Sequence, residues 1–227
     1  MVASYASRAH RVYEAVKGFD KGLSVPVGHC IRLKKIAFYG LPDGRVRIRR
    51  AAGLHSDDMR VMGIDCGTEL TGYGVVETDS TARTPMLVCR GYGAVRLSKQ
   101  KTMAERLLQV FEDLTGQMRH HQPDVVAIEE VFYSVNAKSA LKLGQVRGVA
   151  LLAAATVGLP LAEYAPLTIK SSVVGYGLAS KEQVQFMVAR LLELDKPPEP
   201  ADAADALAVA ICHLHTAQTL AMQARLS

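Results

Sequence analysis

Apolar and polar positions along the chain change period several times, and each change marks an expected element. Val61, Met62 and Ile64 form a short apolar run that delivers Asp65 to its end. Gly67 turns the chain, and Gly72 to Val76 reads as a strand returning beside the first. Pro85 to Val95 reads as a third strand, ending in Arg96. From Thr102 to Arg119 the spacing lengthens, and Met103, Leu107, Leu108, Val110, Phe111 and Leu114 give the stripe of an amphipathic helix. Pro123 stops it. Val125 to Ile128 is apolar throughout, as suits a central parallel strand, and it ends in Glu129 and Glu130. Neighbouring strand side chains point to opposite faces, so only one of that pair faces any site at the strand end.

Asn136 to Val157 reads as a long helix, with Gly144 and Gly148 spaced for close helix packing and Lys138 and Lys142 on one face. Leu161 to Tyr164 predicts a fifth strand carrying Glu163, and Pro166 to Val174 a short helix bearing Lys170. Ser180 followed by Gln183 has the form of a capping box opening a helix to Leu194, with Lys181 at its start. After the Pro-rich break from Lys196 to Pro200, a last helix runs from Ala201 to about Met222. Five strands interleaved with helices place the chain in the α/β class, as a mixed five-stranded sheet flanked by helices.

The first 58 residues follow no single period. Ala9 to Val16 fits a short helix, while Ile31 to Tyr39 and Arg45 to Arg49 fit a hairpin turned at Leu-Pro-Asp-Gly. This segment holds 11 of the 27 Lys and Arg residues and only 5 of the 22 Asp and Glu residues. Its balance of +6 exceeds the chain's +5, so residues 59–227 are close to neutral. The basic character therefore says little about the remainder, and Arg45, Arg47 and Arg49 read as a solvated strand face. Two parts are expected: a basic extension over 1–58 that is not needed for the fold, and a compact domain over 59–227, opening at Met59.

With 227 residues and 49% hydrophobic content, the chain can bury one substantial core. Its longest apolar stretch, Val149 to Ala162, contains Gly158 and Pro160 and reads as a buried helix followed by a strand. No secretory signal is visible. Cys30, Cys66, Cys89 and Cys212 are widely spaced, which fits reduced thiols in a cytoplasm better than a zinc site or disulfide framework.

The chemistry lies in the acids. A carboxylate at the end of a buried strand is costly without a partner, although an Asp-x-Gly turn alone could account for Asp65. Asp65, Glu129 and Glu163 each close or ride a strand, and Asp202 and Asp205 stand three apart on one face of the last helix. Helix-terminus complementarity explains one such Asp better than two. Ala203 and Ala204 between them are small enough to leave room for a metal or a phosphate. Hard divalent cations take carboxylate oxygens, and a pair of them stabilises both oxygens of an in-line phosphoryl displacement. His213 and His215 lie about three turns further along the helix, too far to join, and read as packing or surface residues.

At these residues the chain from Met59 onward resembles the RuvC family of Holliday junction resolvases. The matching stretches are Gly63-Ile-Asp-Cys-Gly with Thr71-Gly-Tyr-Gly-Val-Val, Ala127-Ile-Glu-Glu-Val-Phe, Asn136 to Ala150, Val173-Val-Gly-Tyr-Gly, and Asp202-Ala-Ala-Asp-Ala-Leu-Ala. The resemblance implies a ribonuclease H-like fold in which Asp65, Glu129, Asp202 and Asp205 are the catalytic and metal-binding acids. It also implies two Mg²⁺ per site, replaceable by Mn²⁺, and a metal-activated water as nucleophile. Phe132 matches an aromatic position that stacks on an unpaired base, and Lys170 and Lys181 match basic positions near the scissile phosphate. Lys138, Lys142 and Arg147 are further candidate phosphate contacts. Cys66 stands where the family usually has proline, and nothing carries over onto residues 1–58.

The implied activity is hydrolysis of two symmetric phosphodiesters in four-way junction DNA, giving 5′-phosphate ends, in recombination and repair. The implied partners are a second copy in a homodimer and a branch-migration helicase complex of the RuvA and RuvB type. Two alternatives compete. One is a nucleotide-binding lobe of the sugar-kinase kind, whose phosphate hairpin also reads Asp-x-Gly-Thr; the other is a junction-binding module without catalysis.

Overall fold

A computed structural model describes residues 30–33, 36–40, 46–50, 58–79, 86–130 and 137–226. The backbone divides into two compact units, residues 1–53 and 54–227. In the first, β1 (Cys30–Leu33), β2 (Ile36–Gly40) and β3 (Val46–Arg50) form an antiparallel sheet in that order. The run expected as one strand, Ile31 to Tyr39, is therefore two. It folds back on itself so that Ile31 lies opposite Phe38 and Leu33 opposite Ile36, the tight connection a hairpin needs. The expected pairing through Leu-Pro-Asp-Gly does form, with Phe38 opposite Ile48. The expected helix from Ala9 to Val16 lies outside the described residues.

The second unit is built on a five-stranded sheet in the order β6-β5-β4-β7-β8. Its strands are β4 (Arg60–Asp65), β5 (Leu70–Asp79), β6 (Met86–Arg96), β7 (Val125–Glu129) and β8 (Leu161–Tyr164). The first three form an antiparallel meander, and β7 and β8 extend it in parallel with β4. The helices are α1 (Met103–His121), α2 (Ala137–Val157), α3 (Pro166–Val174), α4 (Lys181–Leu191) and α5 (Ala201–Leu226). The sheet is thus mixed, as expected.

Strand alternation sorts the core into two layers. Met62, Ile64, Val75, Val126 and Ile128 pack on one side with α1 and α2. Val61, Val76 and Ala127 point the other way, into α3, α4 and α5. Local signals set the helix boundaries. Thr102 accepts from the Glu105 amide while the Glu105 carboxylate accepts from the Thr102 amide, and Ser180 and Gln183 close the same reciprocal cap on α4. The 21-residue α2 is long and apolar enough to cross a bilayer by length and composition. Here Val146, Ala150, Ala153 and Ala154 are buried in the layer shared with α1. Gly144 and Gly148, expected at a close helix contact, face open space among the described residues.

Candidate active site

Register and parity bring the first two acids together. Ile64 pairs with Ile128 across the parallel strands, so one residue further on Asp65 and Glu129 stand side by side. Asp65 shares its strand face with Val61 and Gly63, and Glu129 shares its face with Val125 and Ala127. That face is the one covered by α5. Glu130 is one position further and points the other way. Its amide is spent on the Tyr164 carbonyl at 2.8 Å.

The other two acids arrive on α5, and glycines decide how closely it comes. A Cβ on Gly63 would lie 1.9 Å from the Ala206 carbonyl oxygen, and one on Gly72 2.0 Å from that of Asp202. On Gly74 it would meet the Leu207 side chain at 2.6 Å. The three glycines make a bare floor on β4 and β5, and the helix backbone rests on it. Ala203, Ala204 and Ala206 are fully buried there. The small residues flanking Asp202 and Asp205 thus admit the hairpin backbone, and not an ion as the sequence reading had it. Asp202 is left at the mouth of the β4–β5 turn, its Oδ1 3.7 Å from where a Gly67 Cβ would stand.

The four carboxylates act on one another. Burial and then the charges of Glu129, Asp205 and Asp202 push Asp65 from 3.8 up to about 7, with Lys181 opposing. Glu129 is raised by burial and by Asp205, and is lowered by Lys181 and Lys170. Lys181 donates from Nζ to Asp205 Oδ2 at 2.7 Å, and that bond raises its own pKa. Both lysines expected near a scissile phosphate therefore direct their charge into the acidic cluster. Burial, with Asp65 next, pushes the Cys66 thiol up to about 12, so it stays protonated. The set offered to a cation is then all carboxylate oxygen, the chemistry that Mg²⁺ and Mn²⁺ prefer. Among the described residues, no three His, Cys, Asp or Glu side chains stand in a ready coordinating group, and Asp205 is turned to Lys181.

The remaining candidates divide. Lys138 and Lys142 are exposed on the first two turns of α2. Arg147, expected at a phosphate, forms an ion pair with Glu163 and donates from Nε to the Glu129 carbonyl at 3.4 Å. It braces the strand end that carries Glu129, and it takes up Glu163, the strand acid that does not join the cluster. Phe132 lies outside the described residues. His213 and His215 are packing residues, on the Tyr164 hydroxyl at 2.8 Å and the Ser172 carbonyl at 3.0 Å. Sequence reasoning missed the glycine floor; its signal, Gly63, Gly72 and Gly74 on two paired strands, is visible in retrospect.

Residues 61–213 match the family described as crossover junction endodeoxyribonuclease RuvC. The chain is 68% identical over 168 residues to the protein of that name from Acidobacterium capsulatum, covering 73% of this chain and 98% of the relative. The chain belongs to the RuvC family. The relative from Koribacter versatilis is 62% identical over 162 residues, covering 71% of this chain and 96% of its own. Among solved structures, Thermus thermophilus RuvC superposes with a TM-score of 0.65 at 33% identity, over 71% of this chain and 96% of that one. Thermus thermophilus RuvC in complex with Holliday junction substrate gives 0.64 at 30% identity, with the same coverage. Membership makes the chain a DNA endonuclease and sets aside the nucleotide-binding lobe and the non-catalytic module. The Asp65-to-Thr71 turn is the RuvC hairpin.

Proposed function

We propose that this chain resolves four-way DNA junctions by two symmetric phosphodiester cleavages, acting in recombination and repair as a homodimer with one acidic site per protomer. One observation carries the reading: Asp65, Glu129, Asp202 and Asp205, carried by β4, β7 and α5, lie near enough that the charges of three raise the pKa of the fourth. Uncompensated, such a cluster opposes ionisation of Asp65; its purpose is to hold positive charge. Asp65, Glu129, Asp202 and Asp205 would hold two Mg²⁺, or Mn²⁺ in their place. When bound, these supply Lewis-acid stabilisation of the attacking and leaving oxygens of an in-line displacement that leaves a 5′-phosphate.

The chain's own residues do the rest. Lys170 and Lys181 add positive charge beside the scissile phosphate, while Lys138 and Lys142 extend the phosphate-binding surface along α2. Arg147 and the glycine floor fix Glu129 and Asp202 in place. Phe132, three residues past Glu129, is proposed to stack on a base near the crossover. The homodimer is supported by a face of α2 on which Leu141, Gly144, Gly148 and Leu152 are all exposed, an apolar stripe uncovered among the described residues. Leu152→Arg should give a monomer by light scattering with an unchanged fold. A helicase complex of the RuvA and RuvB type would present the junction.

The test separates binding from chemistry. Asp202→Asn keeps the side-chain shape and removes one charge. Cleavage of a synthetic junction in Mg²⁺ should fall about 100-fold or more. Binding in Ca²⁺ or EDTA should persist, because junction recognition rests on shape and backbone. If Asp202 were only a helix-terminus acid, Asn would still cap the helix and cleavage would stay near wild type.

A further inference from the structure

Five residues between α3 and α4, Gly175 to Ala179, are pinned at both ends yet turn their large apolar side chains outward. Gly175 ends α3 in the left-handed region at φ 79°, its amide bonded to the Ser171 carbonyl at 2.8 Å. At the other end Ala179 is buried, its amide reaches the Tyr176 carbonyl at 3.3 Å, and Ser180 caps α4. Between these anchors Tyr176 is 56% exposed and Leu178 73% exposed. Gly177 lies against α3, where an added Cβ would stand 3.0 Å from Ser171 Oγ and 3.7 Å from Leu167 Cδ2. Leu167 is itself 60% exposed, although the same helix buries Ile169 and Val173. Three large apolar groups, two on the turn and one on the adjoining helix, facing water beside a satisfied core, mark a contact surface.

Its neighbours say what it contacts. Leu167 and Lys170 share a face of α3 by their spacing of three, and the Lys170 charge is felt at Glu129. Lys181, five residues beyond Tyr176, bonds Asp205 directly. The patch is therefore bracketed by the two lysines whose charge enters the acidic cluster. A DNA strand with its phosphate held there carries bases next to that phosphate, and an aromatic face beside paired cations suits a base and its backbone together. We propose that Gly175 to Ala179 is a base-contacting platform in which Tyr176 stacks on a nucleobase adjoining the cleaved phosphate, flanked by Leu178 and Leu167. This rests on the junction-cleaving reading above and adds a residue that positions the substrate strand.

The test uses full-length protein carrying Asp202→Asn, in Ca²⁺, with a four-way junction bearing 2-aminopurine at the nucleotides flanking the cleavage point mapped with wild type. Tyr176→Ala should weaken junction binding about 10-fold and abolish the 2-aminopurine fluorescence change at one flanking nucleotide, with Tyr176→Phe restoring both. The melting temperature should be unaltered, since the side chain is mostly in water. Unchanged binding and fluorescence in Tyr176→Ala would overturn the proposal. So would a large loss of melting temperature in both variants, which would make Tyr176 a core residue, or a shift to monomer on light scattering, which would give the patch to a second copy. If the parent protein fails to bind junctions and wild type fails to cut them, the functional reading falls with it. If they succeed and only the Tyr176 effects are missing, this inference falls alone.

Discussion

In the unfolded chain Asp65 gives up its proton near 3.8; in the fold it holds it to about 7. The unfolded chain ionises first as pH rises. The stability associated with the neutral carboxyl is complete below about pH 4 and is lost as pH climbs through 7. A shift of this size corresponds to a loss on the order of 4 kcal/mol at most. In EDTA, the melting temperature of wild type should therefore fall between pH 5 and pH 8, while Asp65→Asn stays flatter and melts higher at pH 8. Mg²⁺ should restore wild type at pH 8, with an affinity that rises with pH, because the ion must find Asp65 ionised. Parallel pH profiles for wild type and Asp65→Asn would contradict this. The acids were legible in the sequence because each sits at the end of a strongly patterned strand or helix. Their mutual pressure was not, since it depends on how far apart the fold leaves them. The ion pair of Arg147 was not legible for the same reason: the sequence does not show that the strand carrying Glu163 is laid beside it.

At the scale of elements, the docking of α5 on β4 and β5 decides whether there is a site. Gly72→Ala would drive a methyl group to within 2.0 Å of the Asp202 carbonyl oxygen. Backbone cannot step aside as a flexible side chain does, so about 1–3 kcal/mol of destabilisation is expected. Cleavage per folded molecule should fall as well, because the helix turn that lifts away carries Asp202. Gly116→Ala on α1, where no described residue lies within 4 Å of the added methyl, is the control, and should be neutral or slightly stabilising. Denaturant melts with activity normalised to folded protein would distinguish the two. Helix starts were readable because Thr102-Glu105 and Ser180-Gln183 announce themselves locally. The glycine floor was not, because a glycine in a strand looks the same whether it bends the strand or makes room for a helix 130 residues away.

For the whole molecule, the two backbone units hold different charge, and the family match begins at residue 61. A protein starting at Met59 is expected to fold and to cut junctions. Removing the +6 of the first 58 residues should weaken non-specific DNA binding and flatten its dependence on salt. Circular dichroism and a salt titration of binding would check both; loss of folding would place the segment in the core. The periodicity that made five strands readable failed over Ile31 to Tyr39, where Lys34 and Lys35 interrupt the apolar residues and only the pairing shows two short strands.

The four acids are spread over 140 positions of the chain, and the last two ride on the final described element. A ribosome releases the chain from its N-terminal end, so until position 202 has been added at most Asp65 and Glu129 of the four acids exist. On the proposed reading, a chain whose α5 has not settled on its glycines holds only two of the four acids in place. A chain stopped at Pro200 should be inert toward junctions, and adding a separate peptide spanning Ala201 to Leu226 is the direct way to ask whether docking alone restores cleavage.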